Sequence, residues 1–536
     1  MTHGMISAPQ PEAVETALDI LAAGGNAVDA AIGCALVQTA VDPQMCGIAG
    51  FGNIHLYLPD RGVHTSFDFH GRSPLATRAD MWEHLIEHEA QDGWGFILKG
   101  RVNEFGYGAV TTPRTLAAFA EVLERYGTKS IAELLPPAIE HCEAGVVVRP
   151  HMSEFWNLPP TAGRDSNIAM VNKHPATRKI YCHDDGRVLG VGELLRNPDM
   201  GQTLRRIAAH GVEDFYRGEI AERIVADMEE NGGLISHEDL ATCGPDENEP
   251  LWGTYRGHRI ATNHPPGGGV QLVEMLNILE NFDLAAIGHN SPEYIRIVAE
   301  AMKIATADKD NKVGDPKFYD VPMEELCSKE YAAEMADRIK RGEKTDVVRV
   351  NSGGQESKHT TQVSLVDEHG NCVTMTHTLG QPSGVVTDGL GFMYNGAMTV
   401  FDPRPGRSGS LAPGKARFSA LSPTIVFNGD DPYLVLGAPG ATYITMGNLQ
   451  VMLNVLDFGM SAQEAVIAPR FAALSNILEL SNRILRSAER DLRDQGYPIL
   501  RHPVSYTFAW VHAIRIKDGK WDGGADPATD GMAMEA

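Results

Sequence analysis

The chain has 536 residues, 43% hydrophobic and 22% charged, ordinary proportions for a large globular protein that buries a sizeable core. Its formal net charge of −24 argues against nucleic acid or an anionic membrane surface as a partner. The seven cysteines, at 34, 46, 142, 182, 243, 327 and 372, form no CxxC pair, which speaks against a disulfide framework and a cysteine-rich zinc site. No basic segment followed by an apolar stretch opens the sequence, and no apolar run approaches membrane-span length. A cytoplasmic enzyme is the expectation.

In chain order, Pro9 and Pro11 precede a helical pattern that stops at Gly24-Gly25. Asn26 then offers an N-cap for a second, Ala-rich helix ending near Asp42-Pro43. The run Phe51 to Leu58 reads as a strand. Between about 115 and 340 the spacing predicts mostly helix, clearest over 116–127, 130–142, 270–282 and 291–311. Lys340 to Glu356 is polar and glycine-containing, the composition of an exposed linker. Strands follow over 360–378, Thr424 to Phe427 and Tyr433 to Leu436, then a helix over 441–458. No internal repeat or low-complexity tract interrupts this order.

Apolar and polar residues alternate on both sides of Asp367-Glu368-His369-Gly370-Asn371, the pattern of a hairpin around a tight turn. A three-residue loop ending in Gly370 suits a turn whose last residue is left-handed. If 367 pairs with 371, Thr360 stands opposite Thr378, with side chains on one face and about 5 Å between Cβ atoms. Two facing threonines are common strand furniture. Their position, where a flexible segment meets a sheet, singles them out: His359-Thr360 reads as a self-cleavage point that makes Thr360 an N-terminal nucleophile.

The turn Gly437 to Thr442 joins a strand to a helix, and the N–H groups of Gly440 and Ala441 suit an oxyanion or a phosphate. The segment His264 to Gly269 lacks the Lys-Ser/Thr of a P-loop and reads as a structural turn. His84-Leu85-Ile86-Glu87-His88 matches HxxEH, which on a helix sets two imidazoles one turn apart, with Glu140 or Glu143 as a distant third ligand. Its dense polarity reads instead as a solvated helix face, so no metal and no cofactor are expected. Neither GxSxG nor GxGxxG after a strand is present.

Segments 24–36, 47–52, 250–269, 271–284, 299–316, 360–379, 421–427, 437–444 and 523–531 together resemble the γ-glutamyltransferase (glutathione hydrolase) family. The resemblance implies an α+β N-terminal-nucleophile hydrolase, a four-layer αββα sandwich. It implies a precursor cut before Thr360 into a large subunit, 1–359, and a small subunit, 360–536, intertwined as one unit, with a dimer of these as a further arrangement. Thr360 would attack a small-molecule amide, its own α-amine taking the proton. Thr378 would hold the hydroxyl, and Gly440 and Ala441 would bind the oxyanion. Ala441 in place of a glycine costs little if its φ is negative.

The sequence also departs from the family. His70 stands where an arginine binds the substrate α-carboxylate, with Arg72 two residues on as a substitute. The carboxylate-binding serine pair becomes Ser419-Ala420, and Gly380 replaces an asparagine. The aspartate that grips the α-amine falls near Thr399-Val400, and the loop 401–416 lacks the covering tyrosine. An unpaired ammonium in such a pocket would cost several kcal/mol. His70, Arg72, Lys415 and Arg417 are candidates to receive a carboxylate, or else surface charges. The expected substrate is therefore another small amide or acylamino compound, resolved by water or an amine. The alternatives are a genuine γ-glutamyltransferase/glutathione hydrolase and an unprocessed, non-catalytic binding member.

Overall fold

A computed structural model describes residues 2–90, 95–161, 163–347 and 360–536. Thirteen strands build its two central sheets. They are β1 (Gly4–Ala8), β2 (Phe51–Leu58), β3 (Val63–Phe69), β4 (Asp246–Asn248), β5 (Leu251–Tyr255), β6 (His258–Thr262), β7 (Thr361–Asp367), β8 (Cys372–Thr378), β9 (Thr424–Asn428), β10 (Asp431–Gly437), β11 (His512–Lys517), β12 (Lys520–Ala525) and β13 (Met532–Glu535). The first sheet runs β13-β1-β7-β8-β2-β3-β4 and the second β12-β11-β10-β9-β6-β5.

Helices cover both outer faces. On the first sheet lie α1 (Pro11–Ala22), α2 (Ala27–Val41) and α3 (Thr115–Tyr126); on the second lie α4 (Gly269–Leu279) and α6 (Ile444–Leu456), with α5 (Pro292–Lys312) packed behind α4. This is the expected four-layer αββα sandwich. Pro11 begins α1, and Asn26 caps α2 in a reciprocal capping box with Asp29, so the local signals act where they stand in the sequence.

The strand alternation explains the layering. In β7 and β8, Val363, Leu365, Val373 and Met375 join the core beneath α1 and α2. The intervening residues face the second sheet and are largely polar. Ser364 Oγ donates to the His512 carbonyl at 3.0 Å and Thr374 Oγ1 to the Leu436 carbonyl at 3.1 Å. Gln362 bridges Thr374 and Thr376 at 2.8 and 2.6 Å. A Cβ on Gly437 would lie 2.4 Å from Gln362 Oε1, so the sheets meet here only because that position has no side chain. Both strands are buried on both faces.

Two expectations change. The stretch 84–88 forms no helix: a 3-10 turn, Glu83–Leu85, leads into a short strand, Ile86–Glu89, paired with Phe96–Leu98. His84 and His88 are therefore not one helical turn apart, and no cluster of three or more metal-ligating side chains forms among the described residues. The helix expected over 441–458 begins at Ile444, after a 3-10 turn at Ala441–Tyr443. Of the linker, 341–347 is described. It is mostly exposed but pinned, Thr345 N donating to Glu300 Oε2 at 2.7 Å and Val347 N to Asn476 Oδ1 at 3.0 Å. His359 lies outside the described residues. No described helix is long and apolar enough to cross a membrane.

Candidate active site

The hairpin register is the one its turn dictates. Thr361 pairs with His377 and Val366 with Cys372; Gly370 is left-handed at φ +74°. Continuing this register sets Thr360 against Thr378, and Thr360 Oγ1 donates to Thr378 Oγ1 at 3.1 Å. Thr378 Oγ1 also accepts from the Gly380 amide at 2.8 Å. Two donors thus fill the acceptor side of one hydroxyl and fix its orientation. Thr360 is buried, yet it borders a cleft of about 870 Å³ that is partly open to solvent.

Gly380 is left-handed at φ +63°, and a Cβ there would meet the Phe51 ring at 3.1 Å. The position expected to bind substrate through an asparagine instead turns the chain and lets Phe51 close one wall. Ser419 and Ala420 line the opposite wall. Their backbone is braced by the segment 264–269: Ser419 N donates to the Pro266 carbonyl and Gly268 N to the Leu421 carbonyl, both at 2.8 Å.

At the turn after β10, Ala441 and Thr442 line the cleft beside Thr360. Gly440 stands one residue back, its missing Cβ position 2.5 Å from Ala509 Cα. Gly440 has φ +146° and Ala441 φ +51°. The condition of a negative φ at Ala441 is therefore not met: an alanine occupies a left-handed turn position, at a cost of about 1 kcal/mol. No hydrogen bond takes up the Gly440 or Ala441 amide among the described residues.

The candidate carboxylate receivers divide. His70 is buried and lines the cleft. Asp68 holds it from behind, its carboxylate accepting from His70 Nδ1 at 3.0 Å and from the His70 amide at 2.8 Å. Buried Arg114 completes the brace, donating to the His70 carbonyl at 2.9 Å. Burial alone would raise the Asp68 carboxyl, but His70 and Arg114 outweigh it and hold it down at about 2. His70 Nε2 is buried without a partner among the described residues.

Arg72 does not substitute as expected. Its guanidinium pairs with Asp246, which also receives Arg114 at 3.3 Å and Lys317 at 2.7 Å, and it is absent from the cleft wall. Lys415 is likewise committed, its buried ammonium donating to the Ser408 and Ser410 carbonyls at 2.8 and 2.9 Å. Desolvation lowers its pKa from the ordinary lysine value. Arg417 does reach the cleft. At the expected amine-binding position, Thr399 Oγ1 is spent on the Asn103 and Gly396 carbonyls, both at 2.7 Å, and Val400 presents only hydrocarbon to the cleft.

Sequence reasoning missed three polar lining residues, Gln271, Lys309 and Gln381. Gln271 and Lys309 sit in helices whose burial masks them, and a polar residue inside an apolar helical run was the only available signal. His377, beside Thr378 in sequence, faces the other way. Burial lowers its pKa to about 3, and its Nε2 meets Gln38 Oε1 at 2.8 Å.

The sandwich, and a threonine opening a central strand beside a cleft, define an N-terminal-nucleophile hydrolase. The sequence matches the family described as Gamma-glutamyltranspeptidase over residues 13–536, and the chain belongs to that family. It is 36% identical over 537 residues to an "Acylase ACY 1 proenzyme" of Pseudomonas sp. (strain V22), covering 99% of this chain and 93% of that one. It is 34% identical over 485 residues to the glutathione hydrolase proenzyme of Escherichia coli (strain K12), covering 88% and 80%. Among solved structures, a cephalosporin acylase from Bacillus halodurans superposes with a TM-score of 0.87 at 28% identity, covering 99% of this chain and 96% of that one.

Proposed function

We propose that Thr360, freed at its amino side by self-cleavage after His359, is the nucleophile of an amide hydrolase/acyltransferase acting on a small amide or acylamino compound. The observation that carries this reading is the Thr360–Thr378 hydroxyl pair at 3.1 Å, at the mouth of a strand and on the wall of a cleft. In the uncut chain Thr360 has φ +151°, a region an L-residue enters at a cost of about 1–3 kcal/mol. Cutting before Thr360 removes that torsion and releases an α-amine whose pKa, about 7.7–8.0, suits a base near neutral pH.

The chemistry follows from the groups present. Thr360 Oγ attacks the amide carbon while the α-amine takes its proton, directly or through a water. The oxyanion forms against the uncommitted amides of Gly440 and Ala441, each such donor typically contributing about 3 kcal/mol. The C–N bond then breaks, the amine leaves protonated, and water or another amine resolves the ester on Thr360. The cut yields subunits 1–359 and 360–536, which share both sheets and so stay together.

The acyl pocket favours something other than a γ-glutamyl group. His70 replaces the arginine, Arg72 is held by Asp246, and Thr399-Val400 offers an ammonium no carboxylate. Walls built from Phe51, Ala397, Phe401, Leu421 and Ile444 suit an apolar acyl chain. Glutathione hydrolysis is the second reading, favoured by the Escherichia coli relative.

The test is denaturing mass analysis of wild type and Thr360→Ala, followed by a panel of γ-glutamyl, glutaryl, oxamate and short-acyl amides. Two fragments meeting at 359/360 are expected in wild type and one chain in the variant, with turnover only in wild type. An uncut wild-type chain after long incubation rejects the proposal.

A further inference from the structure

Thr360 and Thr378 line the cleft, so their sequence neighbours Thr361 and His377 point the other way, toward the helices behind the first sheet. Along that face the register pairs are Thr361 with His377, Val363 with Met375 and Leu365 with Val373. The last two pairs are apolar and lie in the core beneath α1 and α2. The first pair is polar, and both its members are fully buried. The layer thus turns polar at the end of the strands that carries the proposed nucleophile.

Two glutamines from the other side of the cut satisfy this patch. Gln38, in the last turn of α2, donates to the Gln362 carbonyl at 3.2 Å and to Gln10 Oε1 at 2.9 Å. Its own Oε1 accepts from His377 Nε2 at 2.8 Å. Gln10, directly before α1, accepts from Thr361 Oγ1 at 3.3 Å and donates to Asp42 Oδ2 at 2.5 Å. The direction of this chain is fixed at its end. A carboxylate only accepts, so Gln10 turns its NH2 toward Asp42 and its oxygen toward Thr361 and Gln38. Gln38 then meets His377 with its oxygen, which places the imidazole proton on Nε2.

Gln10 carries a further sign of being held in place. Its backbone lies at φ +59° and ψ 98°, outside the regions that residues other than glycine adopt freely. Such a conformation persists only where the surroundings over-determine it. Here it turns the amide inward, to a site where Gln10 is fully buried.

Cleavage before Thr360 gives these contacts a task. β7 begins at Thr361, so Thr360 stands outside the backbone ladder. Once cut, it is a chain terminus, and termini fray unless they are tied down. Thr361 is the next residue whose side chain can anchor that end, and His377 stands in the same relation to Thr378. Both anchors lead to Gln10 and Gln38, across the boundary that the cut creates.

We propose that Gln10 and Gln38 are positioning residues that hold the new N-terminus of the small subunit, so that Thr360 and Thr378 stay paired through the reaction. This role rests on the nucleophile proposed above. Without the tether the register stays, but the terminal residue gains freedom. A reacting group displaced by about 1 Å can lose on the order of a hundredfold in rate.

The experiment uses protein shown by mass analysis to be fully cut, with whichever of the γ-glutamyl, glutaryl and butyryl 4-nitroanilides wild type turns over fastest. Gln38→Met keeps the length of the side chain and removes its hydrogen bonds. It should lower the single-turnover rate by about tenfold or more while KM stays within about twofold. Ile32→Val, a core truncation on the same helix, should keep the wild-type rate. Thr361→Val should lose about threefold to tenfold, and Thr361→Ser, which retains the hydroxyl, less than about twofold. A Gln38→Met protein with the wild-type rate overturns the proposal. So does an equal loss in Ile32→Val, or equal rates in Thr361→Val and Thr361→Ser.

A second measurement needs no turnover: amide hydrogen exchange in wild type and Gln38→Met. Faster exchange confined to 360–364 and 376–379 supports the tether. Unchanged exchange, or a rise of the same size throughout 424–436, overturns it. An uncut wild-type chain rejects the catalytic reading instead, and exchange then decides the tether by itself.

Discussion

Replacing Thr378 by Val tests the proposed catalytic geometry most directly, because the side chains are nearly the same size and only the hydroxyl is lost. Two hydrogen bonds end on that oxygen, from Thr360 Oγ1 at 3.1 Å and from the Gly380 amide at 2.8 Å. In the ground state the first is a neutral pair, contributing about 1 kcal/mol net. As the Thr360 oxygen gains negative charge in passing its proton to the amine, a hydrogen bond from the Thr378 hydroxyl becomes charge-assisted, contributing about 1.5–3 kcal/mol. At 1.36 kcal/mol per factor of ten, this corresponds to roughly a 10- to 150-fold loss in kcat. The Gly380 amide is left without its acceptor, and the fold loses about 1–3 kcal/mol. Thr378→Ser retains the oxygen and should lose less than about fivefold. The assay is single-turnover hydrolysis of an accepted chromogenic amide by protein shown by mass analysis to be fully cut, with thermal unfolding alongside. A Thr378→Val protein that is fully cut and turns over at the wild-type rate would refute the role given to this hydroxyl.

Two further outcomes follow from the same geometry. Ala441 at φ +51° is a strained alanine, so Ala441→Gly should raise stability by about 0.5–1 kcal/mol without loss of the oxyanion amide, and Ala441→Val should lower it; urea midpoints for the three proteins decide this. Asp68 is held at about 2, below the ordinary 3.8, by His70 and Arg114, which contributes about 2 kcal/mol to stability. Because the folded-state value is the lower one, this contribution is complete above about pH 4 and fades as the pH falls toward 2. Asp68→Asn should therefore lie about 2 kcal/mol below wild type at pH 6, with the gap narrowing at pH 3; a gap independent of pH contradicts the assignment.

The sequence was most informative where a few adjacent residues decide the geometry. Gly370 set the turn, the turn set the register, and the register brought Thr360 to Thr378. Asn26 and Asp29 fixed the start of α2 in the same local way. Reading failed where partners lie far apart. Arg72 looked available because Asp246, 174 residues on, gave no sign that it would take the guanidinium. Lys415 looked like a carboxylate receiver or else a surface charge, yet its ammonium is buried on the carbonyls of its own loop. The HxxEH stretch failed for another reason: Ile86–Glu89 pairs with Phe96–Leu98 as a strand, a partner that lies outside the motif. At Ala441 the sign of φ was left open, because side-chain identity does not report it when the surrounding turn overrides preference.

The two halves of the site also rest on different kinds of support, and this bears on how substrate preference changes in such a fold. The proposed nucleophile, its supporting hydroxyl and the proposed oxyanion turn lie at the ends of strands whose register is set by whole ladders of backbone hydrogen bonds. Changing one side chain there cannot move them far. The acyl wall depends instead on single contacts: His70 on Asp68 and Arg114, Gly380 on Phe51, and Ser419 on the Pro266 carbonyl. The hydrogen-bonded ones contribute about 1–3 kcal/mol each, small beside the packing of either sheet. A substitution at 70, 399 or 419 therefore alters which acyl group fits while leaving the Thr360–Thr378 pair in place. This is the physical reason that a nucleophile such as the one proposed at Thr360 can persist while the residues around the acyl pocket change.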